Sequence, residues 1–206
     1  MKTSSIILAG GKGLRLGQDK VLETVGNRSL LEQVISCVSS LSTDIVIVTA
    51  EERTIPEFRG PIKPGVIKDI FPGKGPLGGI YTGLAASDCF YNLVVACDMP
   101  FLNPDLLHYM IQNSKGFDIV TPRVGSLVEP LHAVYAKGCL APMETMIEQG
   151  ELSVYKLLDL VKVRYIEAEE IDRFDPDHLS FFNINTKADL EKARKLAIKI
   201  ANDDKC

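Results

Sequence analysis

The sequence predicts an α/β fold, a single domain over residues 1–206 with a mostly parallel, Rossmann-like sheet between helices in three layers. Three observations carry this. Short continuous apolar runs, of which Ser5-Ile6-Ile7-Leu8-Ala9 is the first, read as strands buried on both faces. Amphipathic segments with helical spacing separate those runs. A chain of 206 residues, 46% of them apolar, can bury one sizeable core.

Taken in order, Ser5–Ala9 is the first strand. Ser29-Leu30-Leu31-Glu32 has the form of a capping box, and Leu30, Leu31, Val34, Ile35, Val38 and Leu41 then recur on one helical face. Asp44–Ala50 reads as a second buried strand, and the Pro- and Gly-rich stretch Glu51–Gly65 as a surface loop. Val66–Ile70 is a short strand, and Pro76–Ala86 a helix with proline in its first turn. Tyr91–Cys97 is another buried strand. Asn103-Pro104 caps and starts a helix carrying Leu106, Leu107, Met110 and Ile111, and Asp118–Thr121 is a further strand. Beyond Val124 the pattern loosens. It predicts helices over Gly138–Gln149 and Ser153–Val161, a strand near Val163–Ala168, and a closing helix over Lys187–Ile200 capped by Thr186.

Charge and cysteine usage narrow the function. With 23 basic against 27 acidic residues the net charge is −4, which disfavours a broad nucleic-acid-binding surface. Cys37, Cys89, Cys97, Cys139 and Cys206 are odd in number and widely spaced, with no C-x-x-C, so neither a disulfide framework nor a zinc knuckle is expected. Met1-Lys2-Thr3-Ser4 lacks the apolar stretch of a signal peptide and no run approaches a membrane span. The expectation is a cytoplasmic protein with no membrane partner.

The chemistry concentrates where the first strand stops. Glycines Gly10, Gly11, Gly13 and Gly17 follow it, together with the cations Arg15 and Lys20. Glycine lets backbone N–H groups approach anionic oxygens, and the cations supply charge for phosphates. A Walker loop is excluded, because no Gly-Lys pair precedes Ser or Thr. The dinucleotide fingerprint is excluded too, since Gly11, Gly13 and Gly17 are spaced one residue too widely, which also weakens an oxidoreductase reading. Asp98, at the end of the buried strand, suits Mg²⁺, which takes one or two carboxylates plus phosphate oxygens and water; a turn-forming aspartate before Met99-Pro100 is the alternative. Because ligands of parallel sheets sit beyond the carboxyl ends of strands, Gly10–Lys20, Asp69 and Asp98 can converge on one crevice.

The run Leu8–Lys20 resembles the nucleotidyltransferase signature Leu-Ala-Gly-Gly-x-x-x-Arg-(Met/Leu)-Gly-x-Asp-Lys, in particular that of the molybdenum cofactor guanylyltransferases. The resemblance extends through Gly75-Pro76-Leu77-Gly78-Gly79, Cys97-Asp98-Met99-Pro100-Phe101, Glu129-Pro130-Leu131-His132 and Phe182-Asn183-Ile184-Asn185-Thr186. It implies GTP binding by Leu8, Ala9, Gly10, Gly11, Lys20, Asp69 and Asp98, with Mg²⁺ on Asp98 as cofactor. It further implies Arg15 and Lys20 against the triphosphate, and Asn183 and Asn185 on the side of the pterin substrate. Gly10-Gly11 stands where the related cytidylyltransferases have Ala-Gly, which favours GTP over CTP. Family members commonly carry a base-contacting asparagine after the second strand; here Glu51 could accept from guanine or point into solvent. His132 reads as a structural hydrogen-bonding residue rather than a general base.

The implied reaction transfers GMP from GTP to the terminal phosphate of the molybdenum-pterin cofactor. Partner proteins would deliver that cofactor and receive its dinucleotide product. The rival readings are the same fold acting on a sugar phosphate or a phospholactate-like acid, CTP-dependent transfer to the same cofactor, or a non-catalytic GTP-binding sensor.

Overall fold

The structure, a computed structural model, describes residues 2–10, 22–50, 55 and 63–203. The opening apolar run forms β1 (Thr3–Leu8), buried along its whole length. A small hairpin that the sequence did not announce follows, β2 (Thr24–Val25) and β3 (Arg28–Ser29), turned at Gly26 with φ of +66°. Ser29 then starts α1 (Leu30–Val38) with the expected capping box: its hydroxyl accepts from the Glu32 amide at 3.3 Å, while the Glu32 carboxylate accepts from the Ser29 amide at 2.8 Å. β4 (Asp44–Thr49) and β5 (Gly65–Lys68) come next, then α2 (Gly75–Ala86) and β6 (Tyr91–Ala96). Most of the Glu51–Gly65 loop lies outside the described residues.

Asn103 caps α3 (Pro104–Gln112) as expected, its side-chain oxygen accepting from the amides of Asp105 and Leu106 at 2.9 and 3.0 Å. The strand expected over Asp118–Thr121 is β7 (Ile119–Val124), with β8 (Leu127–Val128) folded back on it. β9 (His132–Ala136) was not anticipated. The helix expected over Gly138–Gln149 begins with a 3₁₀ turn and continues as α4 (Leu140–Glu148), and that over Ser153–Val161 is the shorter α5 (Val154–Leu158). β10 (Val163–Glu167), α6 (Ala168–Ile171) and α7 (Lys187–Asp203) complete the chain. Thr186 caps α7 by exchange with Asp189: the hydroxyl accepts from the Asp189 amide and the carboxylate accepts from the Thr186 amide.

The described residues form an eight-stranded sheet in the order β10-β7-β9-β6-β1-β4-β5, with β8 beside β7. Its long strands are parallel except β9, which runs antiparallel between β6 and β7. Ile7, Ile47 and Val95 face α1 and α3; Ile6, Leu8, Val46 and Val48 face α2. The chain leaves β1 for β4 on one face and returns from β5 to β6 on the other, so β1 and β6 border the point where strand order reverses. That is where parallel sheets open a ligand crevice.

Helix α2 lies unusually close to β1. Gly75, Gly79 and Gly83 recur every fourth residue, and a methyl added at Gly83 would stand 2.3 Å from Ile6 Cγ2. At Gly79 it would meet Leu8 Cδ2 at 3.3 Å. A third, smaller core joins Val25, Leu30, Leu190 and Ala193 around a fully buried Ile184, tying the hairpin and α7 to the segment before α7.

Candidate functional site

Three parallel strands deliver their successors to the same edge. Gly10 lies two residues past β1, Asp98 two past β6, and Asp69 one past β5. The ladder continues beyond the strands: the Ala9 amide donates to the Val48 carbonyl at 2.9 Å, Cys97 to Leu8 at 3.1 Å, and Asp69 to Thr49 at 2.8 Å. Backbone rigidity therefore reaches the candidate residues themselves. The strand order sets Asp98 beside Gly10, with Asp69 three strands from β6, about 14 Å at the usual strand spacing. A nucleoside triphosphate can bridge that span.

Of the loop, Leu8 and Ala9 are buried and form the floor, while Gly10 is exposed, and a methyl added there meets no atom within 4 Å. Gly11, Arg15, Lys20 and Glu51 lie outside the described residues. Asp69 is held by its own surroundings. Its Oδ1 accepts from the Phe71 amide and from the Thr82 hydroxyl, both at 2.9 Å, and the Ile70 amide donates to Thr82 Oγ1 at 3.1 Å. Thr82, buried on α2, is thus the residue that orients Asp69, and nothing in its sequence context singled it out.

Asp98 is half-buried and followed by buried Met99 and Pro100. Its carbonyl accepts from the Ile184 amide at 3.0 Å, which lays the segment 182–186 across the end of β6. Burial alternates along that segment, Asn183 half-buried, Ile184 buried, Asn185 exposed, so both asparagines flank the anchor at Asp98. The strap leading to it is fastened upstream. The Asn103 amide donates to Ser180 Oγ at 3.0 Å, Asn103 Nδ2 to the Phe174 carbonyl at 2.8 Å, and the buried Asp175 carboxylate accepts from the amides of Leu179 and Ser180. Asn103 therefore caps a helix and holds the strap at once.

The donor set suits a hard divalent cation shared with a ligand. Asp98 offers carboxylate oxygen beside exposed backbone, and among the described residues no three His, Cys, Asp or Glu side chains converge to close a protein cage. One carboxylate completed by phosphate oxygens and water is the arrangement Mg²⁺ uses. Burial pushes the thiols of Cys37 and Cys139 up to about 12, so neither is a thiolate near neutrality.

His132 is wholly buried, and the backbone of Ser180 is the nearest polar influence on its ring. Burial pushes its pKa down to about 4, against opposing pulls from the Ser180 backbone and the Asp175 carboxylate. Half-buried Glu129 moves the other way, its carboxyl raised by burial.

Residues 5–165 match the family model described as the MobA-like NTP transferase domain. The chain belongs to this family. It is 36% identical to a protein of Pelotomaculum thermopropionicum named "Probable molybdenum cofactor guanylyltransferase", covering 96% of this chain and 94% of that one. It is 35% identical to the molybdenum cofactor guanylyltransferase of Desulfosudis oleivorans, over 95% and 96% of the two chains. Among solved structures, molybdopterin-guanine dinucleotide biosynthesis protein A from Archaeoglobus fulgidus superposes with a TM-score of 0.80 at 29% identity, over 95% of this chain and 99% of that one. The MobA-like domain match ends near β10, so the strap and α7 lie past it while the full-length relatives span them. No helix among the described residues is long and apolar enough to cross a membrane.

Proposed function

We propose that the protein is a cytoplasmic GTP:molybdenum-cofactor guanylyltransferase, with the crevice beyond β1, β6 and β5 as its active site. The observation that supports it most is the docking of the Asn183–Asn185 strap on Asp98 directly beside Gly10. One edge of the crevice, in this reading, takes the nucleotide and the other the second substrate. In this reading Gly10 and Gly11 present backbone to the nucleotide, Asp69 holds its far end, and Asn183 and Asn185 orient the pterin-side phosphate. A terminal phosphate oxygen of the cofactor attacks the α-phosphorus of GTP, the bond to the β-phosphate oxygen breaks, and pyrophosphate leaves. The attacking phosphate has a second pKa near 6, so it is already anionic and needs no protein base.

The protein's work is therefore in-line positioning and charge stabilisation. Arg15 and Lys20 oppose charge on the departing pyrophosphate, and Asp98 holds Mg²⁺, which when bound neutralises phosphate charge. His132, neutral and buried, has no part in proton transfer. Proteins that deliver the cofactor and accept the product complete the proposed setting. The test is pyrophosphate release from GTP, CTP and ATP with purified molybdenum-pterin cofactor. Release that requires both GTP and the cofactor supports the reading; release with CTP alone, or none with any nucleotide, overturns it.

A further inference from the structure

Asp69 sits in a turn that lies against one face of α2. Gly78 and Thr82 stand one helical turn apart on that face. At Gly78 the turn comes so close that an added methyl would stand 2.9 Å from the Phe71 carbonyl oxygen and 3.1 Å from Phe71 Cβ. Four residues on, buried Thr82 meets the same segment with its hydroxyl, which lies 2.9 Å from Asp69 Oδ1 and accepts from the Ile70 amide at 3.1 Å. The Phe71 ring packs edge-on against Tyr81, with centroids 5.1 Å apart.

Satisfying the hydroxyl does not by itself require Asp69. The Gly78 carbonyl, four residues back in the helix, also lies 2.9 Å from Thr82 Oγ1 and is the acceptor a helical threonine ordinarily uses. One proton serves these two acceptors, and the carboxylate makes the stronger bond. The Phe71 amide, at 2.9 Å, is the second donor to Oδ1, and among the described residues no donor is bonded to Oδ2. Oδ2 is thus the oxygen left for a ligand. A carboxylate only accepts hydrogen bonds, and it repels phosphate. The donors of a nucleoside triphosphate are its ribose hydroxyls and base N–H groups, all at the nucleoside end.

We infer that Thr82 is a positioning residue for the nucleotide: by fixing Oδ1 of Asp69 it aims Oδ2 at the donors of the nucleoside, and so sets affinity for that half of GTP. The inference rests on the proposed role of Asp69 as a nucleotide ligand. It gives Thr82 itself no contact with either substrate. Its effect is confined to the nucleotide, since the segment proposed to hold the acceptor is fastened to Asp98 and Asn103 instead.

The test is titration calorimetry of GTP into the protein supplied with Mg²⁺, with inorganic tripolyphosphate as a second probe that carries no nucleoside. Thr82→Val keeps the shape of the side chain and removes the hydroxyl. It is expected to weaken GTP binding about tenfold, the scale of one hydrogen bond to a charged group. The Kd for tripolyphosphate, and the KM for the cofactor in pyrophosphate release, should stay unchanged. Thr82→Ser, which restores the hydroxyl, should recover most of the affinity. Thr82→Ala, favoured in a helix, should behave as the valine variant does and decides the question if that variant folds poorly. Unchanged GTP affinity in both hydroxyl-free variants, or equal weakening of GTP and tripolyphosphate, would overturn the positioning role. Asp69→Ala separates the two ideas. If it leaves GTP affinity alone, the nucleotide reading of Asp69 fails and the inference falls with it. If it weakens GTP, adding Thr82→Val should cost nothing more; a further loss in the double variant shows Thr82 acting by another route and overturns the inference.

Discussion

The amide of Ile184 donates to the carbonyl of Asp98 at 3.0 Å, joining the end of the central strand β6 to a segment that the chain reaches only after four more strands and four more α-helices. Ile184 is itself fully buried in the small core between α7 and the β2–β3 hairpin. One hydrogen bond and one side chain thus make the Asp98 turn and the asparagine strap a single body. Burying an isoleucine contributes about 2–3 kcal/mol to that fastening.

Because Asp98 engages the strap through its backbone, its carboxylate can be altered without unfastening it. Asp98→Asn should retain the wild-type melting temperature within about 1 °C while kcat for pyrophosphate release falls at least about 10²-fold, as when charge stabilisation of a phosphoryl group is lost. Near-normal turnover with an unaltered Mg²⁺ dependence would leave Asp98 as a turn residue.

The approach of α2 to β1 predicts a stability effect with no local cause in the helix. Gly83→Ala improves helix propensity by about 1 kcal/mol, yet its methyl would lie 2.3 Å from a branch of fully buried Ile6. Overpacking of this kind costs about 1–3 kcal/mol and more where backbone must move. A net fall of several degrees in melting temperature is expected by calorimetry, and a rise would show that Ile6 yields freely.

What the sequence disclosed, and what it withheld, divides by distance along the chain. β1, β4, β6 and the caps at Ser29, Asn103 and Thr186 are written in adjacent residues, and the placing of Gly10, Asp69 and Asp98 along one sheet edge followed because each comes just past a parallel strand. β9 was not legible. His-Ala-Val-Tyr-Ala has little intrinsic strand character and becomes a strand because β6 and β7 flank it. Thr82 holding Asp69, Asn103 holding the strap, and His132 lying beneath Phe181 were invisible for the same reason. Each joins elements far apart in sequence, and neither periodicity nor motif spacing encodes such pairs.

His132 also predicts a pH dependence of stability. Its ordinary pKa of 6.5 falls to about 4 in the folded protein, so above 6.5 it is neutral in both states and contributes no slope. Between 6.5 and 4 the unfolded chain binds a proton that the folded one refuses, and stability declines as pH falls, by about 3 kcal/mol in all. Glu129, raised by burial, works in the opposite direction over the acidic range. Comparison of wild type with His132→Phe isolates the histidine. Denaturant unfolding at pH 7 and pH 4.5 should show the wild type losing more stability than the variant; equal losses would mean that the imidazole finds a proton-stabilising partner.

For the two cations expected at the phosphates, substitution is the informative measurement. Lys20→Ala and Arg15→Ala should each lower kcat/KM by about two orders of magnitude, the effect of removing about 3 kcal/mol of transition-state stabilisation. A change confined to the cofactor KM would place them on the acceptor instead.

Gly10 offers a test of nucleotide choice. The residue is exposed, follows buried Ala9 just past β1, and a methyl built on it meets no protein atom within 4 Å. Gly10→Ala should therefore fold and melt as wild type does, so any functional change reports on the space beside the backbone that a ligand enters. If a purine occupies that space, the variant should raise KM for GTP by about tenfold, the cost of about 1.4 kcal/mol of steric mismatch, and narrow the preference for GTP over CTP. Measuring kcat/KM for both nucleotides in both proteins separates the outcomes. A GTP-specific loss locates the base against Gly10; equal losses with GTP and CTP locate the shared triphosphate there; unchanged values show that the added methyl faces solvent and that selectivity is set elsewhere along the crevice.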